Sequence, residues 1–104
     1  MRDVLDDVRA WRAAGEDVAV ATVVGVIRSA PRPVGAKMAV SSSGAIAGAV
    51  SGGCVEAEVA GVAEEVLAGA PPVLRTFGIA DEDAWEVGLP CGGAIEVWIE
   101  RWDD

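Results

Sequence analysis

Apolar residues recur along this chain in two rhythms, one helical and one extended, and the alternation of the two predicts its elements. In residues 3–14, Val4, Leu5, Val8 and Trp11 fall three and four positions apart, with Arg12 at the border of the stripe and acids opposite. That spacing predicts a helix with Asp3 as its N-cap and Gly15 as its stop. Residues 18–27, VAVATVVGVI, are almost continuously apolar and β-branched, the pattern of a central strand buried on both faces. Two prolines and a glycine mark 29–35 as a loop. Short apolar runs at 37–40 and 45–50 flank Ser41-Ser42-Ser43-Gly44, a hairpin in which Gly44 supplies the positive φ of a tight turn. In 55–68, Val55, Val59, Val62, Ala63 and Val66 form a second helical stripe, with Glu56, Glu58, Glu64 and Glu65 mostly off it. Gly69 and Pro71-Pro72 end that helix. Residues 73–77 and 94–100 read as strands, separated by an acidic stretch at 80–86 and a glycine-rich turn at 88–93. The order α-β-β-β-α-β-β implies an α+β fold: about five strands, with two main helices packed on the sheet.

Composition narrows the function. With 104 residues the chain suits one domain, 1–104, with a single core and neither repeat nor linker. Eight basic against 17 acidic residues give a net charge of −9, which opposes binding to nucleic acid or to an anionic membrane. No run of 18 uncharged apolar residues offers a membrane span. Asp3, Asp6 and Asp7 are incompatible with a secretory signal, so a cytoplasmic location is expected. Asp81, Glu82 and Asp83 read as a solvated loop, and Trp85, Trp98 and Trp102 as core or interface residues. Mean hydropathy of +0.36 in a domain this small implies more apolar surface than one core hides, and hence a homodimer or a stable partner complex.

The chain has neither His nor Tyr, which removes the commonest general base and the commonest metal ligand. Its two cysteines, Cys54 and Cys91, are too few for a structural zinc site and lack the Cys-x-x-Cys spacing of a dithiol enzyme. No G-x-G-x-x-G or G-x-x-x-x-G-K-[ST] motif is present. What stands out is that each cysteine adjoins a glycine pair, as Ser51-Gly52-Gly53-Cys54 and Cys91-Gly92-Gly93. One such turn is ordinary for a small buried residue in a loop; two, holding every cysteine in the chain, favour function. Diglycine lets a ligand approach the backbone amides closely. Cys54 also stands at a predicted helix start, where free amides and the dipole favour an anion or a thiolate. Arg32 and Lys37, rare cations in a proline-glycine loop, are candidates for contacting a phosphate or carboxylate, against the default of solvated cations. Glu56 suits the helix dipole as well as it suits a site.

Three stretches carry a family resemblance: Ser29-Ala30-Pro31-Arg32-Pro33-Val34-Gly35-Ala36-Lys37-Met38, then Gly48-Ala49-Val50-Ser51-Gly52-Gly53-Cys54-Val55-Glu56, then Trp85 with Gly88-Leu89-Pro90-Cys91-Gly92-Gly93. In order and spacing, over nearly the whole chain, they resemble the N-terminal domain of the XdhC/CoxI family. The resemblance implies an accessory factor for molybdenum hydroxylases of the xanthine dehydrogenase or carbon monoxide dehydrogenase type. Such a factor binds molybdenum cofactor (molybdopterin) as cargo, protects it, assists its sulfuration with a cysteine desulfurase, and inserts it into the apoenzyme. Two departures stand against the pattern: Arg28 where family members often have glycine, and the second, Rossmann-like domain of longer members, so that a stand-alone small member or one working with a separate partner is expected. On this reading Ser51, Gly52, Gly53, Cys54, Glu56, Cys91, Gly92, Gly93, Arg32 and Lys37 bind the cofactor, with the phosphate on amides and Cys54 as a soft ligand to its molybdenum. No metal is held by the chain alone, and no catalytic set is complete, so a carrier rather than an enzyme is expected. The rivals are a sulfur-transfer or redox enzyme using Cys54 and Cys91, and a structural interaction module.

Overall fold

The computed structural model describes residues 2–27, 34–50, 55–78 and 94–102. Two helices, α1 (Arg2–Ala13) and α2 (Glu56–Leu67), flank a sheet of β1 (Val18–Ile27), β2 (Lys37–Ser41), β3 (Ile46–Gly48), β4 (Val73–Gly78) and β5 (Ala94–Arg101). The strand order is β3-β2-β1-β5-β4, and every neighbouring pair is antiparallel. The fold is α+β, as the element order implied. Helix α2 carries the chain from one edge of the sheet to the other.

The continuous apolar run of β1 has its reason in this order, because β1 is the middle strand and serves two cores. Ala19, Ala21 and Val23 point into a cluster with Met38, Val40, Val59, Ala63 and Val66 beneath α2. Val18 and Val20 point the other way, against Val4 and Val8 of α1. Val4, Val8, Val18 and Val59 are fully buried, each contributing about 1.5–3 kcal/mol relative to an exposed position. The double burial stops short of the whole strand. Helix α1 packs on β1, β2 and β3, and past its reach Val24 is 48% exposed, where the β1–β5 register shifts between Val23 and Gly25.

Other boundaries moved by small amounts with identifiable causes. Helix α1 begins at Arg2 rather than at Asp3. Strand β3 occupies Ile46–Gly48 and not the whole apolar run 45–50, because Gly48 takes φ +75 and turns the chain out of the ladder. Val50 then drops into the core beneath α2. The hairpin turn forms as expected, with Gly44 at φ +93. Along α2 the stripe holds: Val55, Val59, Ala63 and Val66 are buried, and Val62 is partly so. Trp102 packs beside α1, whereas Trp98 is 36% exposed and Trp85 lies outside the described residues. No helix among the described residues is long and apolar enough to cross a membrane.

Candidate functional site at one end of the sheet

Helix α2 starts without a side-chain cap from Val55, and Glu56 and Glu58 fill its first turn. Glu56 does more than complement the dipole. Its Oε2 accepts the backbone N–H of Val50 at 2.9 Å, joining the residues on either side of 51–54. Val50 and Val55 are themselves buried at 0% and 3% exposure, so both ends of the short segment that carries Cys54 are anchored in the core. Just before it, the N–H of Ala49 donates to the Lys37 carbonyl at 3.2 Å. The sequence singled out Glu56 without indicating this clamp, since a bond closing a loop of irregular backbone has no periodic signature.

The ends of the other two loops define the same region. Gly78, Ala94 and Ile27 stand in register across β4, β5 and β1. The chain therefore leaves at Gly78 and returns at Ala94, the residues bracketing Cys91, where it also leaves β1. Helix α2 points its start this way. Its other end lies by Arg101, whose guanidinium donates to the Leu67 carbonyl at 3.3 Å and whose Cα pairs with Ala19 at the far end of β1. Twelve helical residues at about 1.5 Å each bring Glu56 roughly 18 Å back up the sheet. Both cysteine-bearing segments thus depart from, and return to, the same end of the sheet.

Of the residues singled out from the sequence, Arg32, Ser51, Gly52, Gly53, Cys54, Cys91, Gly92 and Gly93 lie outside the described residues. Glu56 and Lys37 are described, and the structure does not bring them together. Lys37 Nζ donates to Thr22 Oγ1 at 2.7 Å. Both residues alternate with side chains buried under α2, so the pair lies on the α1 side of the sheet, while Glu56 belongs to the α2 side. Thr22 was not anticipated, because the sequence alone does not reveal which strand lies beside Lys37. Among the described residues no three Cys, Asp or Glu side chains gather to hold a metal ion.

The negative charge at the start of α2 changes what the site can take. Glu56 and Glu58 already occupy the positive end of the dipole. A phosphate there would meet two carboxylates, which weakens the expectation of an anion at this helix start.

Residues 11–78 match the XdhC and CoxI family. The chain is 35% identical over 89 residues to the molybdenum cofactor insertion chaperone PaoD of Escherichia coli (strain K12), covering 85% of this chain and 27% of that protein. It is equally 35% identical, over 88 residues, to a probable xanthine dehydrogenase subunit of Bacillus subtilis (strain 168), covering 83% of this chain and 27% of that protein. The fold superposes with a TM-score of 0.80 and 28% identity on the crystal structure of a xanthine dehydrogenase from Bacillus halodurans, covering 95% of this chain and 30% of that one. The chain thus spans about a quarter of the length of the curated relatives it matches. Matching over most of its length, this acidic α+β domain belongs to the XdhC and CoxI family.

Proposed function

We propose that this domain is a non-enzymatic accessory factor that takes molybdenum cofactor as cargo and serves its sulfuration and insertion into a molybdenum hydroxylase of the xanthine dehydrogenase type. The observation that carries the reading is the common departure point of the two cysteine-bearing segments, flanked by Val50 and Val55 on one side and by Gly78 and Ala94 on the other. Family membership and the printed role of PaoD in molybdenum cofactor insertion support it. Two soft thiols, each in a glycine-rich segment, suit the molybdenum end of the cargo. The carboxylates of Glu56 and Glu58 turn its phosphate away from the start of α2, so the cargo's polarity in the site is metal toward Cys54. Arg32 is the candidate for the phosphate, and Lys37, on the α1 side, stands apart from it. A homodimer, a cytoplasmic setting, and partnership with a desulfurase belong to the same proposal.

The rival, a thiol enzyme, lacks a His or Tyr to serve as its acid–base partner. The test is anaerobic mixing of the purified chain with released cofactor, followed by gel filtration and molybdenum analysis. Co-elution is expected; molybdenum confined to the small-molecule fractions would remove the proposal.

A further inference from the structure

The two edges of the sheet are unequally protected. Strand β3 has three residues and ends at the positive-φ Gly48, a short, bent edge that offers little to a passing strand. Strand β4 has six residues, pairs with β5 without a register shift, and among the described residues has no strand on its outer side. Its one charge is Arg75, and the prolines preceding it, Pro71 and Pro72, limit pairing to the strand itself. Among the described residues, nothing pairs with the outward N–H and C=O groups along Val73–Gly78.

Both faces beside this edge are prepared for side chains. On the α1 side, Leu74 is 52% exposed and pairs in register with Trp98, itself 36% exposed, so an apolar strip reaches the edge uncovered by either described helix. On the α2 side a hollow of about 130 Å³ opens between helix and strand, with aliphatic walls from Val62, Val66, Pro71 and Val73 and with Glu65 and Arg75 as its charged members. The exposed Arg75 guanidinium has no ion-pair or hydrogen-bond partner among the described residues. An open edge with alternating pockets is how extended peptides are recognised: main-chain bonds supply affinity, and alternate side chains supply specificity.

We propose that β4 accepts an extended segment of a partner protein as a sixth, antiparallel strand. The alternation of β4 dictates that segment's chemistry. Opposite Arg75 it carries a carboxylate, next an apolar residue covering Leu74 and Trp98, and next an aliphatic residue entering the hollow beside Val73. A second copy of β4 is the poorer occupant. The sequence VLRTFG holds no acid to offer Arg75, and antiparallel self-pairing centred on Arg75 sets two guanidiniums opposite each other. The pairing surface proposed is the described strand Val73–Gly78 alone, and its occupation is tested without the cargo.

The test titrates the isotope-labelled 104-residue chain with the blocked peptide acetyl-Thr-Thr-Glu-Val-Ile-Thr-Thr-amide, followed by NMR. Amide shifts and new exchange protection are expected within residues 73–78. Arg75→Glu, a change at an exposed position, should weaken binding about five- to tenfold, and replacing the peptide's glutamate by lysine should restore it. N-methylation at alternate peptide residues should abolish binding, because it removes the ladder while leaving the side chains. Four results would each overturn the proposal: no binding, shifts centred elsewhere, indifference to N-methylation, or a peptide-free dimer that Arg75→Glu disperses.

Discussion

Replacing Gly48 by alanine should destabilise the domain far more than the same change at any other described positive-φ glycine. Gly48 has φ +75, and a Cβ there would fall on the carbonyl oxygen of Lys37 and come within 2.5 Å of Val4 Cγ1. The left-handed backbone alone costs an alanine about 1–2 kcal/mol. The collision adds about 1–3 kcal/mol, as overpacking does, because neither neighbour is free to yield. The Lys37 carbonyl is fixed by its bond from Ala49, and Val4 is fully buried in the α1 cluster. The sum, about 2–5 kcal/mol, corresponds to a fall in melting temperature of about 8 °C or more in a domain this size. Gly44, at φ +93 with nothing within 4 Å, is the matched control and should show the backbone cost alone. Gly25 is a second control: its Cβ would meet the end of the Glu96 side chain, a flexible group at ordinary φ, and Glu96 can swing aside. Thermal unfolding by circular dichroism measures all three. If Gly48→Ala melts within a few degrees of Gly44→Ala, the reasoning about the close approach of β3, β2 and α1 is wrong.

Glu56→Ala should cost about 1–2 kcal/mol and accelerate hydrogen exchange at the Val50 amide, with Glu56→Gln recovering most of both, because a side-chain oxygen still accepts that N–H; equal exchange in all three proteins would refute the clamp. Glu16 has its pKa lowered, chiefly by its side-chain hydrogen bond with Ser43. Its small contribution to stability is therefore present above the unfolded pKa of about 4.3 and is lost as pH falls through the lower folded value. Carboxyl-carbon NMR titration should find Glu16 below its unfolded value and Ser43→Ala should move it up; no movement would discard the assignment.

The fold was readable where burial imposes a period. The stripes of Val4 and Val8, and of Val59, Ala63 and Val66, announce helices because each must cover a sheet face. The unbroken run of β1 announces a middle strand because it feeds two cores. What was not readable depended on how elements sit against one another. The end of β3 is hidden inside an apolar run, since only the positive φ of Gly48 marks it, though a glycine interrupting a strand pattern was the available signal. The open β5–β4 half of the sheet follows from where α1 lies. The cysteine pattern was legible because diglycine beside every thiol is unusual composition. The separation of Lys37 from Glu56 was not, because strand pairing alone decides which face Lys37 takes. Lys37 grouped with the site by sequence proximity, and Thr22 claimed it in space.

The most direct test of the cargo proposal compares molybdenum retained by the wild-type chain, Cys54→Ser and Cys91→Ser after identical anaerobic loading and gel filtration. Cys54 belongs to a four-residue segment whose flanking residues Val50, Val55 and Glu56 are anchored, whereas Cys91 belongs to the fifteen residues between Gly78 and Ala94, twelve of them separating it from Gly78. Wild type should elute with bound molybdenum, Cys54→Ser should lose most of it, and Cys91→Ser should lose less, all three with the same far-ultraviolet circular dichroism. Equal retention by wild type and Cys54→Ser would contradict the account.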